Sequence, residues 1–284
     1  MVPLTLDEIV NKTSDLPSIP EAVLSVVRLS GDANATASKV AGKIAYDQSL
    51  TARVLRLANS AYYGLPRKIT SLQEAVVMLG MKTVRHLALV ASTFPWLNQP
   101  RKGYALAPRA LWEHSIAVSI GAQLLAARSR KVSGEEAFSA GLLHDLGKVV
   151  LSMWMEARLA DLVVRCEQEQ APFDQLEREE FGFDHCDVGA YLAQRWNLPE
   201  VLEKAIQYHH SPGRCDPPEL LVDCVHIADV LAMTLGYGLG GDGLCYTLNT
   251  GSMQRLGLEA EDYDWVLADM HPAVAKALDA YVVK

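Results

Sequence analysis

Apolar residues recur at helical spacing along almost the whole chain. Val23, Val26 and Val27 share one face, Val40, Ala41 and Ile44 another, and Leu50, Val54 and Leu57 fall at i, i+4 and i+7, the stripe of an amphipathic helix. Polar residues punctuate these runs. Ser18-Ile19-Pro20-Glu21 reads as a capping box with proline at the first helical position, and Thr36 and Asp47 read as caps of the next two helices. The second of these stops near Asn59-Ser60, before a Tyr62-Tyr63-Gly64-Leu65-Pro66 loop. Ser71-Leu72-Gln73-Glu74 is a second capping box and opens a helix ending at Gly80. Further helical patterns cover about 83–97, 109–130, 134–153, 155–170, 184–196, 199–209, 217–235, 260–269 and 272–282. Strand alternation is absent, so the expected class is all-α.

The stretch Asn98–Pro108, with Pro100, Gly103 and Pro108, is the best boundary signal. It divides the chain into an N-terminal helical subdomain, 1–100, and a larger helical domain, 101–284. Gly236–Gly243 is glycine-dense and reads as a flexible loop, without the strand and helix that would make it a phosphate cradle. Composition agrees with a globular protein: half of the 284 residues are apolar and 21% are charged. The net charge of −8 is unevenly placed. Residues 1–100 carry 10 Lys/Arg against 7 Asp/Glu, residues 101–284 carry 16 against 27, and seven of the eight histidines lie in the acidic part. That balance argues against a nucleic-acid binder. It points instead to a metal site.

The five cysteines, Cys166, Cys186, Cys215, Cys224 and Cys245, are odd in number and unpaired in sequence, and Met1–Asp15 has no signal-peptide pattern. The expectation is reduced thiols and a cytoplasmic location. No apolar run reaches the ~18 residues that span a bilayer.

The chemistry gathers in the helical patterns after residue 109. His114 follows Trp112-Glu113. His144-Asp145 lies in Gly141-Leu142-Leu143-His144-Asp145-Leu146-Gly147-Lys148. His185 lies in Asp184-His185-Cys186-Asp187, His209-His210 ends a helix, and Asp229 follows Val225-His226-Ile227-Ala228. A carboxylate in so apolar a setting needs a cation or several donors. Imidazole with carboxylate suits one or two divalent transition ions, Fe, Mn, Zn or Ni. With Asp145 between two cations, a carboxylate-bridged site able to activate water and clamp a phosphoryl group becomes possible. Lys148, placed one turn after His144, would meet the phosphate. His86 and His271 read as ordinary helix histidines, and His226 as a supporting residue rather than a ligand.

The set His114, His144-Asp145 and Asp229 resembles the HD superfamily of metal-dependent phosphohydrolases, an all-α fold. His185 and His209-His210 are similar to the HD-GYP branch, which hydrolyses cyclic di-GMP. The broader match is to the HDOD family, bacterial "HD-related output domain" proteins. It is carried by Leu16-Pro17-Ser18-Ile19-Pro20, by Ile44–Asp47 with Gln48-Ser49-Leu50-Thr51, by Leu57-Ala58-Asn59-Ser60-Ala61-Tyr62-Tyr63-Gly64 and by Ser71–Gly80. It covers about residues 10–235, as one unit. The resemblance implies a helical bundle of HD type preceded by a smaller helical bundle, and a signalling output module often found with an eroded metal site. Here the HD-type residues are largely present. The acidic residue and D-G-x-G-Y-P run of the HD-GYP branch are not: Ser211-Pro212-Gly213-Arg214-Cys215-Asp216 follows the paired histidines.

Two functions follow. One is a regulatory module that binds signalling partner proteins, with a metal or nucleotide but without efficient turnover. Arg53, Arg56, Arg67 and Lys68 would then form an interaction surface, with Asn59 and Tyr63 as packing or cap residues. The other is a metal-dependent phosphohydrolase acting on a nucleotide or cyclic dinucleotide. Its metal ligands would be His114, His144, Asp145, His185, His209, His210 and Asp229, with Asp145 and Lys148 as its catalytic residues.

Overall fold

Local capping decides where the first helices begin. The Thr36 hydroxyl accepts from Lys39 N and the Asp47 carboxylate from Leu50 N, each satisfying a helix-end donor that has no intrahelical partner. Ser71 Oγ accepts from Glu74 N at 3.1 Å. The returning arm of that capping box is displaced by one residue, because Glu74 Oε2 accepts from Thr70 N at 2.9 Å.

The computed structural model describes residues 6, 8–9, 21–28, 36–241 and 245–281. The predicted box at Ser18-Ile19-Pro20-Glu21, the Leu16–Pro20 run and the Met1–Asp15 segment lie wholly or mainly outside the described residues. The helices are α1 (Glu21–Arg28), α2 (Ala37–Ala45), α3 (Gln48–Ala58), α4 (Leu72–Leu79), α5 (Met81–Leu97), α6 (Ala110–Ser129), α7 (Gly134–Leu143), α8 (Leu146–Trp154), α9 (Glu156–Glu169), α10 (Phe173–Phe181), α11 (His185–Arg195), α12 (Glu200–Tyr208), α13 (Leu220–Thr234), α14 (Thr250–Leu256) and α15 (Ala260–Tyr281). Among the described residues there is no strand, only one isolated bridge between Arg101 and Leu106. The fold is all-α, as the apolar periodicity predicts. No helix among these residues is long and apolar enough to cross a membrane.

The centre is α6. From Leu111 to Ala126 it is buried on nearly every side, as a helix enclosed by others must be. It packs on α7, α13 and α15. The N-terminal helices gather on α5, and α5 meets α7 through a buried ion pair, Arg85 Nη1 to Glu135 Oε2 at 3.1 Å. Asn59 stitches the end of α3 to Ile69, donating to Ile69 O at 2.8 Å and accepting from Ile69 N at 2.7 Å. Tyr63 contacts Tyr281 of α15, hydroxyl to hydroxyl at 3.3 Å. Both residues therefore pack and cap. Of the basic residues expected on an interaction surface, Arg53 donates to Ala91 O and Arg67 pairs with Glu74.

Three expectations are corrected. The helix expected over 134–153 is broken at His144-Asp145, where Asp145 turns out of helical geometry with φ −98° and ψ 12°. Gly147, two residues past the break, packs so tightly on α11 that a Cβ there would strike His185 O. The two helices expected over 260–269 and 272–282 are one, α15, running through Pro272. Its buried Val266, Met270, Val274 and Ala277 face α6, and that burial outweighs the hydrogen bond the proline removes. Two helices lie where no helical pattern was expected: α10 between α9 and α11, and α14 between α13 and α15.

Candidate metal centre

Four local devices aim the histidines. His144, at the end of α7, and His209, at the end of α12, each turn Nδ1 back to a carbonyl three residues earlier, Gly141 O and Ile206 O, both at 2.7 Å. On α6, His114 Nδ1 faces Tyr237 O at 3.1 Å. His185 is the first residue of α11, which Asp184 caps by accepting from Asp187 N. Its Nδ1 lies 2.6 Å from Glu177 Oε2. Each of these partners accepts a hydrogen bond, so Nδ1 carries a proton and Nε2 is the nitrogen turned inward, free to bind a cation once any proton on it is released.

The inward atoms form two adjoining groups about Asp145. On one side, His114 Nε2 lies 3.2 Å from His144 Nε2 and 3.0 Å from Asp229 Oδ1. Asp145 Oδ2 is 3.6 Å from His114 Nε2 and 3.4 Å from His144 Nε2. On the other, His210 Nε2 lies 3.1 Å from His185 Nε2. Asp145 Oδ1 is 3.5 Å from His185 Nε2 and 3.8 Å from His209 Nε2. His210 Nδ1 reaches back toward Asp229 Oδ2 at 3.4 Å. All seven predicted candidate ligands are thus brought together, with one carboxylate oxygen of Asp145 directed to each group.

The cluster is buried: His144, His185 and His209 have no exposed surface, and Asp145 has 1%. Neither oxygen of Asp145 accepts a hydrogen bond among the described residues, and Asp229 Oδ2 accepts none. Lys148 brings an ammonium close, with Nζ 2.9 Å from Asp145 Oδ2 but outside hydrogen-bond geometry. Buried carboxylate oxygens without donors, facing converging imidazole lone pairs, are energetically costly. The donor set fits a pair of divalent transition cations, which would relieve both defects.

Electrostatics agrees with that fit. Burial raises the Asp145 carboxyl, but Lys148 and the surrounding imidazoles outweigh it and hold the group well below the usual carboxylate range. Burial likewise raises Asp229, and the bond to His114 brings it down to about 2. Burial keeps His144, His209 and His210 neutral, the form that binds metal. At His185 burial is opposed by Glu177, which lifts the ring to about 9. A proton and a metal ion would compete for that Nε2, so metal uptake releases protons.

Several neighbours were not legible in the sequence. Glu177 accepts from His185 N and from the Tyr104 hydroxyl, at 3.0 and 2.5 Å. The signal was there: Phe173, Leu176, Glu177 and Phe181 share the buried face of α10, an acid among apolar positions. Tyr246 stacks on His210 with ring centres 3.9 Å apart. The described part of the glycine-dense stretch, 236–241, has no helix or strand, as expected of a loop, and lies against the cluster. A side chain at Gly238 would strike His114, and Tyr237 supplies the carbonyl to His114. His226 stays outside the cluster, bridging His209 O and Asn249 N. His86 stacks on Phe138 and His271 meets Tyr237.

The HDOD domain profile matches residues 16–212. An uncharacterized protein of Treponema pallidum (strain Nichols) is 28% identical over 208 residues, 72% of this chain. The match spans only 39% of that longer relative. Among solved structures, an HDOD domain protein of unknown function from Geobacter sulfurreducens superimposes with a TM-score of 0.79 at 28% identity, covering 97% of this chain and 95% of that one. A Shewanella amazonensis SB2B protein, described as a candidate phosphohydrolase, gives 0.72 at 27%, covering 96% and 98%.

Proposed function

We propose, for a chain that belongs to the HDOD family, that it is a signal-transduction regulatory module whose HD-type half holds a pair of divalent cations and which acts by binding partner proteins rather than by rapid turnover. The observation that carries this reading is the buried convergence of His114, His144, Asp145, Asp229, His185, His209 and His210, with donorless oxygens on both aspartates. His114, His144, Asp145 and Asp229 would hold one cation, and Asp145, His185, His209 and His210 the other. Cations so enclosed bind the ends of α6, α7, α11, α12 and α13 into one unit and stabilise a single arrangement for a partner to read.

Restricted access favours regulation over turnover. The Tyr237-Gly238 backbone lies on His114, Tyr246 covers His210, and the candidate ligands are almost wholly buried. The turn after His210, Pro212–Arg214, carries no acidic residue.

The second reading, a phosphohydrolase for a nucleotide or cyclic dinucleotide, is favoured by Lys148. Its ammonium lies against Asp145, where it would balance charge on a phosphoryl oxygen. Bound cations would supply Lewis acidity at such a site. Elemental analysis followed by a phosphodiesterase assay separates the two. A loaded protein that leaves cyclic di-GMP and a general phosphodiester intact supports the regulatory module, and turnover lost in Asp145→Asn supports the hydrolase. A protein free of metal after supplementation overturns both.

A further inference from the structure

We infer that Cys186 is a thiolate ligand in the second half of the centre, so that His185, Cys186, His209 and His210 form a nitrogen-and-sulfur site suited to a softer ion such as Zn²⁺, beside an oxygen-and-nitrogen site on His114, His144, Asp145 and Asp229. This rests on the metal-centre reading above and goes beyond it, because the HD-type pattern in the sequence contains no sulfur ligand.

Distances carry the argument. Cys186 Sγ lies 3.6 Å from His185 Nε2 and 3.9 Å from His209 Nε2, and His185 Nε2 lies 3.1 Å from His210 Nε2. A tetrahedral ion with metal–sulfur bonds of about 2.3 Å and metal–nitrogen bonds of about 2.05 Å has S···N edges of about 3.6 Å and N···N edges of about 3.3 Å. These three edges match within a few tenths of an ångström. All four donor atoms lie within 4.8 Å of one another. A second observation points into the same space: Asp145 Oδ1, buried and without a hydrogen-bond donor, faces His185 and His209.

The other cysteines have different surroundings. Cys166 Sγ is 3.8 Å from Cys245 Sγ and donates to Ala171 O, and Cys215 donates to Pro217 O. Cys186 is also the second residue of an eleven-residue helix; burial and the neighbouring carboxylates push its thiol up, so an ion bound there would have to displace the thiol proton. The two halves therefore differ in chemistry. A thiolate selects Zn²⁺ or Fe²⁺, while the carboxylate-rich half also accepts harder ions such as Mn²⁺.

Cobalt substitution tests this on the full chain. Apoprotein is titrated with Co²⁺, the bound metal is counted, and the near-ultraviolet region is scanned. The expected result is a thiolate-to-cobalt charge-transfer band in the wild type that is lost in Cys186→Ser. Bound cobalt without that band overturns the sulfur ligand and leaves the metal centre standing. A band that survives in Cys186→Ser also overturns it. No bound cobalt overturns the metal centre, and the sulfur ligand with it. If Cys186→Ser does not fold, X-ray absorption of zinc-loaded wild type decides: a sulfur scatterer at about 2.3 Å supports the assignment and a shell of nitrogen and oxygen alone overturns it.

Discussion

Replacing Gly147 with alanine places a methyl carbon 1.8 Å from His185 O, 2.7 Å from His185 C and 2.9 Å from Gly189 N. All three are backbone atoms of α11, so no side chain can swing aside. Relief requires the start of α8 and the start of α11 to part by about 1.5 Å, the shortfall from an ordinary carbon–oxygen contact of about 3.3–3.6 Å. His144 and Asp145 lie three and two residues before Gly147, and His185 is itself the residue struck. Metal sites tolerate about 0.2 Å in ligand distances, so the displacement should empty at least the half holding His185. The stability cost is that of overpacking without compliant neighbours, about 3 kcal/mol, or about 6–12 °C in Tm for a chain of this size. The assay is metal content by mass spectrometry, with thermal unfolding measured with and without chelator so that lost metal and lost packing separate. Gly42→Ala is the control. Nothing lies within 4 Å of a Cβ at Gly42, inside α2, so it should keep wild-type metal and gain about 0.5–1 kcal/mol. Wild-type metal content and Tm in Gly147→Ala would refute the reasoning.

Glu177→Gln keeps the shape of the His185 partner and removes its charge. Metal affinity should fall about 10–100-fold in competition with a chromophoric chelator, and an unchanged affinity would show that Glu177 does not tune the site. Glu135→Gln leaves Arg85 with a weakened buried partner, which should cost about 3 kcal/mol in urea denaturation. Arg85→Met combined with Glu135→Leu should recover most of that loss, and a double variant no better than the single would contradict the ion-pair account. Burial beneath Phe138 lowers His86 from 6.5 to about 4. Both states are neutral above pH 6.5, but the unfolded chain takes up a proton first as pH falls. Stability should therefore drop by up to about 3 kcal/mol between pH 6.5 and 4, and His86→Phe should flatten that part of the profile; an equally steep profile in His86→Phe would assign the slope elsewhere.

What the sequence revealed was what local physics determines. Thr36, Asp47 and Ser71 bond to backbone three residues ahead, so their caps were readable from spacing alone. The seven candidate ligands were readable because acid and imidazole at apolar helix positions need an explanation. Features determined by chains meeting across the fold were not readable. The tight packing of Gly147 on α11 depends on His185, 38 residues away in sequence. The continuity of α15 through Pro272 depends on burial against α6. Helix α10 was hidden because its outer face is rich in Asp, Glu, Gln and Arg, and Glu177 was hidden with it. Cys186 looked like any buried thiol until His209 was seen beside it.

The most direct test of the central claim is the metal content of the protein after supplementation with divalent transition ions and desalting, wild type beside Asp145→Asn. With Asp145 a ligand of the half that holds His114, His144 and Asp229, and its other oxygen facing the second half, the wild type should retain about two ions per chain and Asp145→Asn about one or fewer. A wild type that retains no ion, or an Asp145→Asn variant that retains as many as the wild type, would contradict it.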